Sequence, residues 1–383
     1  MILDCPVPHG AVLPEGVIPF LTEKHNIYTL SVVTVITAVP SLPGSVLTAY
    51  RDLLEQCQTA AFEDAFGEPG RFTRKTVKGR AYWYFRLPKG REKYVGPETP
   101  ELKTRIAEHR KLKQDERQRR TLVAMLKRAG LPSPPVNVGE LLQALSHGGV
   151  FRLRACLVGT HAFGCYAGLL GERLKGSSVM TQDLDLAQLP AVSVEIAADE
   201  RLKDLGEVLR KADPSYRPVS KAISEHRAVA YLNDRKYRVD VLAANRGPER
   251  DTPIKLPALG THGQPMRFLD YLIYDTIPAV VLHADGVVVN VPAPERFAVH
   301  KLIIAHRRGK DRDKVPKDLA QATQLINALW PTQRKDVIRV LTEAHERGSA
   351  WTRAIVSSLQ LIADDLKDDA FPVMTDVARG TPG

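Results

Sequence analysis

The nine residues Thr181–Leu189, TQDLDLAQL, place two carboxylates, Asp183 and Asp185, two positions apart between Leu184 and Leu186. Successive side chains of a strand point to opposite faces, so this spacing predicts a strand that sends both acids to one side and both leucines to the other. Carboxylates this close repel one another and hold each other's protons more tightly. A divalent cation between them relieves the repulsion, and a hard ion such as Mg2+ favours carboxylate and phosphate oxygens. A solvent-exposed edge strand of alternating polarity is the other reading of the same residues.

The flanking sequence bears on the choice. Upstream, VFRLRACLVGTHAFGCYAGLLGERL reads as a strand over Phe151–Val158, a tight turn at Gly159-Thr160 and a helix from about His161 to Leu174. A glycine at a strand-to-helix turn lets backbone approach a phosphate, the helix start offers unpaired N–H groups, and Thr160 adds a hydroxyl. Ordinary turn chemistry gives the same pattern. Downstream, HRAVAYLNDRKYRVDVLAAN is two alternating runs about Asn233-Asp234, a hairpin signal, with Asp240 set between Val239 and Val241 in the second run. An acid between two β-branched apolar residues is costly unless it is paired or metal-bound. Beside the DLD strand, Asp240 would complete a set of three carboxylates able to hold two Mg2+ ions about 3.5–4 Å apart, an arrangement used for in-line phosphoryl displacement. Alternatively it pairs with Arg235, Lys236 or Arg238.

The chain has 383 residues, 44% hydrophobic and 26% charged, which suits two or three soluble globular domains. Its four cysteines form no CxxC pair and no zinc-like cluster with histidine, so they read as reduced, mostly buried thiols of a cytoplasmic protein. The apolar run Ile27–Val39 is too short and too rich in Thr and Ser for a membrane span, which needs about 20 apolar residues. Acids and prolines precede it where a signal peptide would be basic. The net charge of +10 favours a polyanionic partner, nucleic acid or nucleotide first.

Four segments are expected: a leader over 1–46, a basic helix–hairpin–helix module over 47–135, a central domain over 136–292 and a helical region over 293–383. In the second, Leu47–Phe66 has helical spacing, and RFTRKTVKGRAYWYFRLPKGREKYVGP reads as two or three short strands. Tyr82, Trp83, Tyr84 and Phe85 could stack on bases while Arg71, Arg74, Lys75, Lys78 and Arg80 meet phosphates; a half-buried sheet with a solvated basic face is the competing reading. A long helix follows, with ten Lys/Arg against three acids between Lys103 and Arg128, which is either a solvated face or a groove for RNA or DNA. The proline-rich LPSPPVNVG closes the module.

The combination LVGTHAFGCYAG, TQDLDLA and YRVDVLAA resembles the nucleotidyltransferase superfamily typified by DNA polymerase β. The resemblance implies an α+β fold: a small mixed sheet flanked by helices, with the basic module before it and the helical region after. It implies transfer of a nucleoside monophosphate from an NTP to a hydroxyl, Gly159 and Thr160 contacting the triphosphate, Asp183 and Asp185 holding two Mg2+ ions, and Asp240 binding the catalytic ion and helping deprotonate the acceptor. Further on, VPAPERFAVHKLIIAHRRGKDRDKVPKDLAQATQLINAL resembles the post-catalytic helices of abortive-infection type E toxin nucleotidyltransferases. That likeness implies that Lys301 reaches the nucleotide phosphates, Arg308 supports it and Asp318 orients one of them. Seven residues apart, Lys301 and Arg308 share a helical face, which a solvated helix with surface ion pairs would also show. The chain from about Leu47 to Leu366 is similar to a bacterial uncharacterised family with this fold. Given the basic module, an RNA acceptor is expected, with tRNA in a toxin-like setting and an antitoxin partner as one form of it. AMP transfer to a protein or small molecule, and a catalytically silent nucleic-acid-binding protein, are the alternatives.

Overall fold

The computed structural model describes residues 20–24, 27–31, 41–66, 70–77, 79–87, 91–108, 116–176, 181, 183–219, 228–248, 250–309 and 312–381. Two compact units are present, Met1–Ser41 and Leu42–Gly383. In the first, strands β1 (Phe20–Lys24) and β2 (Ile27–Ser31) pair antiparallel. Most of the Ile27–Val39 run lies outside the described residues.

The second unit opens with helix α1 (Gly44–Phe66), followed by strands β3 (Arg71–Val77), β4 (Arg80–Arg86) and β5 (Glu92–Pro97) in an antiparallel sheet of that order. Helices α2 (Pro100–Glu108) and α3 (Glu116–Arg128) come next, and the middle of the expected basic helix lies outside the described residues. Helix α4 (Val136–His147) begins after the proline cluster.

Strand β6 (Cys156–Val158) is shorter than its sequence suggests, because Phe151–Arg154 forms a turn in which Arg154 has φ 67°. That turn is pinned by Asn290 Nδ2 donating to the Phe151 and Ala155 carbonyls at 2.6 and 3.0 Å. Helix α5 (Gly159–Leu170) follows directly and ends on left-handed Gly171. Then come β7 (Asp183–Gln188), α6 (Pro190–Ala197), α7 (Leu205–Ala212), β8 (Arg217–Val219), β9 (Ala230–Leu232), β10 (Arg238–Ala244), β11 (Ile254–Leu256) and β12 (Thr261–Met266).

These strands form one mixed sheet running β11-β12-β10-β7-β6, with β9 pairing the first half of β10 and β8 pairing β9. β7 and β10 are parallel, while β6 and β9 run antiparallel to them. The hairpin at Asn233-Asp234 forms as expected, with Asn233 Oδ1 accepting from Tyr237 N at 2.8 Å. Leu184, Leu186, Val239 and Val241 are fully buried beneath this sheet. Burial stabilises each leucine by about 2 kcal/mol, which fixes the strand register and hence the side to which the acids turn.

After the short helix α8 (Leu269–Leu272), β13 (Thr276–Val281) and β14 (Val287–Pro292) make a hairpin. Four helices complete the unit: α9 (Pro294–Arg307), α10 (Val315–Glu346), α11 (Ser349–Leu361) and α12 (Ala370–Arg379). Proline in the first turn of α9, Glu295 beside it and His306-Arg307 at its end match the helix dipole. α10 kinks near Pro331, where Gln333 leaves helical geometry. Helix α1 belongs to the same core: the buried Tyr50 hydroxyl donates to Val280 O at 3.0 Å and accepts from Val280 N at 2.9 Å. Gly168 of α5 makes room for that ring, since a Cβ there would stand 2.3 Å from Tyr50 Cε2. The architecture is a mixed α+β fold with a small sheet flanked by helices.

Candidate functional site

The register of the two parallel strands assembles the acids. Arg238 lies opposite Asp183, and Asp240 opposite Asp185, so these four side chains share one face of the sheet while the leucines and valines fill the other. Val158 of β6 is the neighbour of Asp185 on its far side. Three aspartates from two strands, separated by more than fifty positions in the sequence, thus converge.

The face is crowded with negative charge. Burial, then Asp183 and Asp240, push the Asp185 carboxyl up to about 7, against the pull of Lys301 and Lys314. Asp240 is also raised by burial, although Arg238 holds it with Nε 2.8 and 2.9 Å from its two carboxylate oxygens. Asp183 accepts from the Thr181 hydroxyl, and its carbonyl accepts from Tyr237 Oη at 3.3 Å. The same phenol shares a 2.9 Å hydrogen bond with His161 Nε2. Among the described residues, no group of three or more His, Cys, Asp or Glu side chains stands close enough to hold a metal ion as the side chains lie. The Asp240 carboxylate is engaged by Arg238 instead.

The Gly159 turn abuts this cluster. Gly159 has φ +69°, and a Cβ on it would stand 2.5 Å from Asp185 Oδ2, so only glycine fits between the turn and the acid. Val158 is extended and α5 starts at Gly159, which brings a helix N-terminus up to the carboxylates. The Thr160 hydroxyl accepts from Lys317 Nζ at 2.9 Å.

Asp318, 2% exposed, ties two cations together: its carboxylate meets Lys301 Nζ at 2.6 Å and Arg308 Nε at 2.9 Å. Burial works to raise its pKa, yet Lys301 and Arg308 together hold it below the usual range. Lys301 is lowered by burial, with Asp318 opposing. This is a built-in cluster rather than the solvated helix face that the seven-residue spacing also allowed. Next to it, buried His300 is driven to about 3 by burial and the adjacent cations, and its Nε2 has no hydrogen-bond partner.

A cleft of about 770 Å³ connects these parts. Of the residues expected from sequence, Gly159, Asp183, Asp185, Lys301 and Arg308 line it. Thr160, Asp240 and Asp318 stand beside it through the contacts above. The wall also holds Arg250, Arg267, His300, Arg307 and Lys314, which the sequence reading did not single out. The basic run RRGKDRDK at 307–314 was the available signal for two of them.

The aromatic strand β4 is not a stacking platform. Tyr84 and Phe85 are each 2% exposed and point to opposite sides, Tyr84 into the main core and Phe85 into a small cluster with Leu87. On the neighbouring β3, Arg74 pairs with Glu98 at 2.7 Å and Lys75 with Glu92, and on β4 Arg86 pairs with Glu92 at 2.8 Å. Arg119, expected on a solvated or nucleic-acid-facing side of α3, is buried against Asp285 at 2.6 Å. Lys78 lies outside the described residues.

Comparison with known proteins matches a family model described as "Nucleotidyltransferase" to residues 136–346, more than half of the chain. No curated protein and no solved structure matches. No helix among the described residues is long and apolar enough to cross a membrane.

Proposed function

The chain belongs to the nucleotidyltransferase family and is a transferase of phosphorus-containing groups, and from that premise we propose that its cleft moves a nucleoside monophosphate from an NTP to a hydroxyl of RNA, the hydroxyl oxygen bonding to the α-phosphorus as pyrophosphate leaves. The observation that carries the proposal is the strand register that sets Asp183, Asp185 and Asp240 on one face against the Gly159 turn. The donor set fits a divalent cation: it is all oxygen, and the Asp185 carboxyl is raised by burial and then by the neighbouring Asp183 and Asp240, both of which a cation would offset. Asp183 and Asp185 would hold Mg2+, with Asp240 joining when its carboxylate turns from Arg238. Bound there, two Mg2+ ions would supply charge neutralisation for an in-line displacement.

The remaining roles fall to the chain itself. Gly159, Thr160 and the start of α5 accept the triphosphate, with Lys317 steadying Thr160. Lys301 neutralises charge developing on the phosphoryl oxygens, and Arg308 supports it. Asp318 orients both cations, which keeps the two side chains in place without nucleotide. Asp240 takes the proton of the attacking hydroxyl. The likeness to type E abortive-infection toxins supports a tRNA acceptor in a toxin-like setting with an antitoxin partner.

The test is incubation of the protein with each radiolabelled NTP, Mg2+ and total cell extract, followed by fractionation into RNA, protein and metabolites. Label in RNA is expected, and it disappears with Asp183→Asn and Asp185→Asn. Undiminished labelling by those variants refutes the site, while label confined to protein or metabolite refutes the acceptor.

A further inference from the structure

We propose that a second basic pocket, at the opposite end of β12 from the cleft, holds the phosphate backbone of the acceptor RNA. The inference rests on the nucleotidyl-transfer reading for its acceptor but on separate residues for its binding site. The pocket measures about 650 Å³ and is rimmed by Arg201, Lys203, Arg210 and Lys255. Asp204 is the one acid among the described residues of its lining, and Arg210 already neutralises it at 3.0 Å. Arg201, Lys203 and Lys255 are exposed and have no ion-pair or hydrogen-bond partner among the described residues. The floor is polar and fixed: Tyr231 Oη and Thr261 Oγ1 lie 2.9 Å apart, and Thr261 donates to Ala228 O at 3.1 Å.

Two chain segments lead from this pocket to the cleft. β12 runs from Thr261 in the pocket to Met266 in the cleft wall, and the segment before it runs from Arg250 in the cleft to Lys255 in the pocket. Five strand residues span about 16 Å, a distance that a few nucleotides of single strand can bridge. Immediately before Arg201, Glu200 is paired with Arg152 at 2.5 Å, while Asp199 shares Lys75, at 3.6 Å, with Glu92. Cations therefore outnumber acids among the described residues from the pocket rim to the cleft wall, with Arg201, Lys203, Arg210, Lys255, Arg250 and Arg267 against Asp204 and Asp251.

A repeating phosphate backbone suits this arrangement better than a second nucleotide does. The cations stand around an open rim on flexible stems rather than converging on one point, the described lining holds no carboxylate pair for a metal, and its phenol ring, Tyr231, is buried. Such a backbone lying over the rim would deliver a terminal hydroxyl toward Asp240.

The experiment compares the full-length protein with its Arg201→Ala/Lys203→Ala/Lys255→Ala variant. Binding of a fluorescein-labelled single-stranded RNA of about 20 nucleotides is followed by anisotropy across salt concentrations, without nucleotide, alongside binding of polyglutamate. Thermal melting checks the fold, and Mn2+-dependent NTP binding checks the cleft. The expected result is RNA affinity lowered by about 10-fold or more, with the slope of log K against log salt reduced by about 2–3, and NTP binding unchanged. Unchanged RNA affinity and slope, or an unmodified protein that binds no RNA, overturns the proposal. So does a loss confined to polyglutamate, which assigns the pocket to an acidic protein. Failure of the unmodified protein to bind Mn2+-NTP refutes the nucleotidyl-transfer reading instead, and leaves the RNA measurement to decide the pocket on its own.

Discussion

Asp185→Asn is expected to stabilise the metal-free protein while destroying its activity. The carboxyl rises from an ordinary value of 3.8 to about 7 on folding, so the native state binds its proton more tightly than the unfolded chain does. Stability therefore falls as pH rises through the interval from about 4 to about 7, and the loss is complete above it. Three pH units at 1.36 kcal/mol each correspond to about 4 kcal/mol, which asparagine, unable to ionise, does not lose. Equilibrium urea unfolding in EDTA reads the difference directly. The variant should gain up to about 4 kcal/mol over the unmodified protein at pH 8 and nothing at pH 4. Mg2+ should then restore stability to the unmodified protein and have little effect on the variant. A variant no more stable than the parent at pH 8 would show that the carboxylate is already compensated, and the argument for a cation there would fail.

Gly159→Ala should lose transfer activity and cost about 1–3 kcal/mol, because its φ of +69° disfavours a side chain and the new Cβ meets Asp185; activity assays and urea midpoints check both. Asp318→Asn leaves the half-buried Lys301 and Arg308 with a neutral partner, at a cost of about 1–3 kcal/mol, and NTP affinity should fall with stability. Arg119→Ala removes a buried ion pair far from the cleft, so it should lower the urea midpoint while leaving the KM for NTP unchanged. Cys57 and Cys165 have thiols pushed up to about 12 by burial, and burial also raises Cys156 well above its ordinary value. None of the three should react with a thiol reagent at pH 8 until the protein is unfolded.

Local alternation made the main elements of the sheet legible. In TQDLDLAQL and KYRVDVLAA, side chains two apart must share a face, and the apolar members between them identify the buried side. The hairpin at Asn233-Asp234 was equally plain, because turn chemistry is written in neighbouring residues. Pairings between distant segments were not. That Arg238 lies level with Asp183 and grips Asp240 depends on a parallel register that neither strand specifies alone. Lys317 reaches Thr160 only because α10 returns to the start of α5. The aromatic run left two readings open for a related reason: Tyr84 and Phe85 suit a base-stacking surface until the packing on the two sides of β4 buries both rings.

The hydroxyl of Tyr50 is satisfied at both its donor and acceptor sites by a residue 230 positions later. On a ribosome adding about 5–20 residues per second, that partner emerges about 10–50 s after the tyrosine does. Throughout the interval the face of α1 that carries Tyr50, Leu53 and Cys57, all buried in the finished protein, gains α3 and α5 but still lacks β13 and β14. Synthesis therefore proceeds with its first helix as a waiting apolar surface, which makes the growing chain a natural client for holding chaperones. Fragments ending before Val280 should accumulate as aggregates rather than as a folded N-terminal piece.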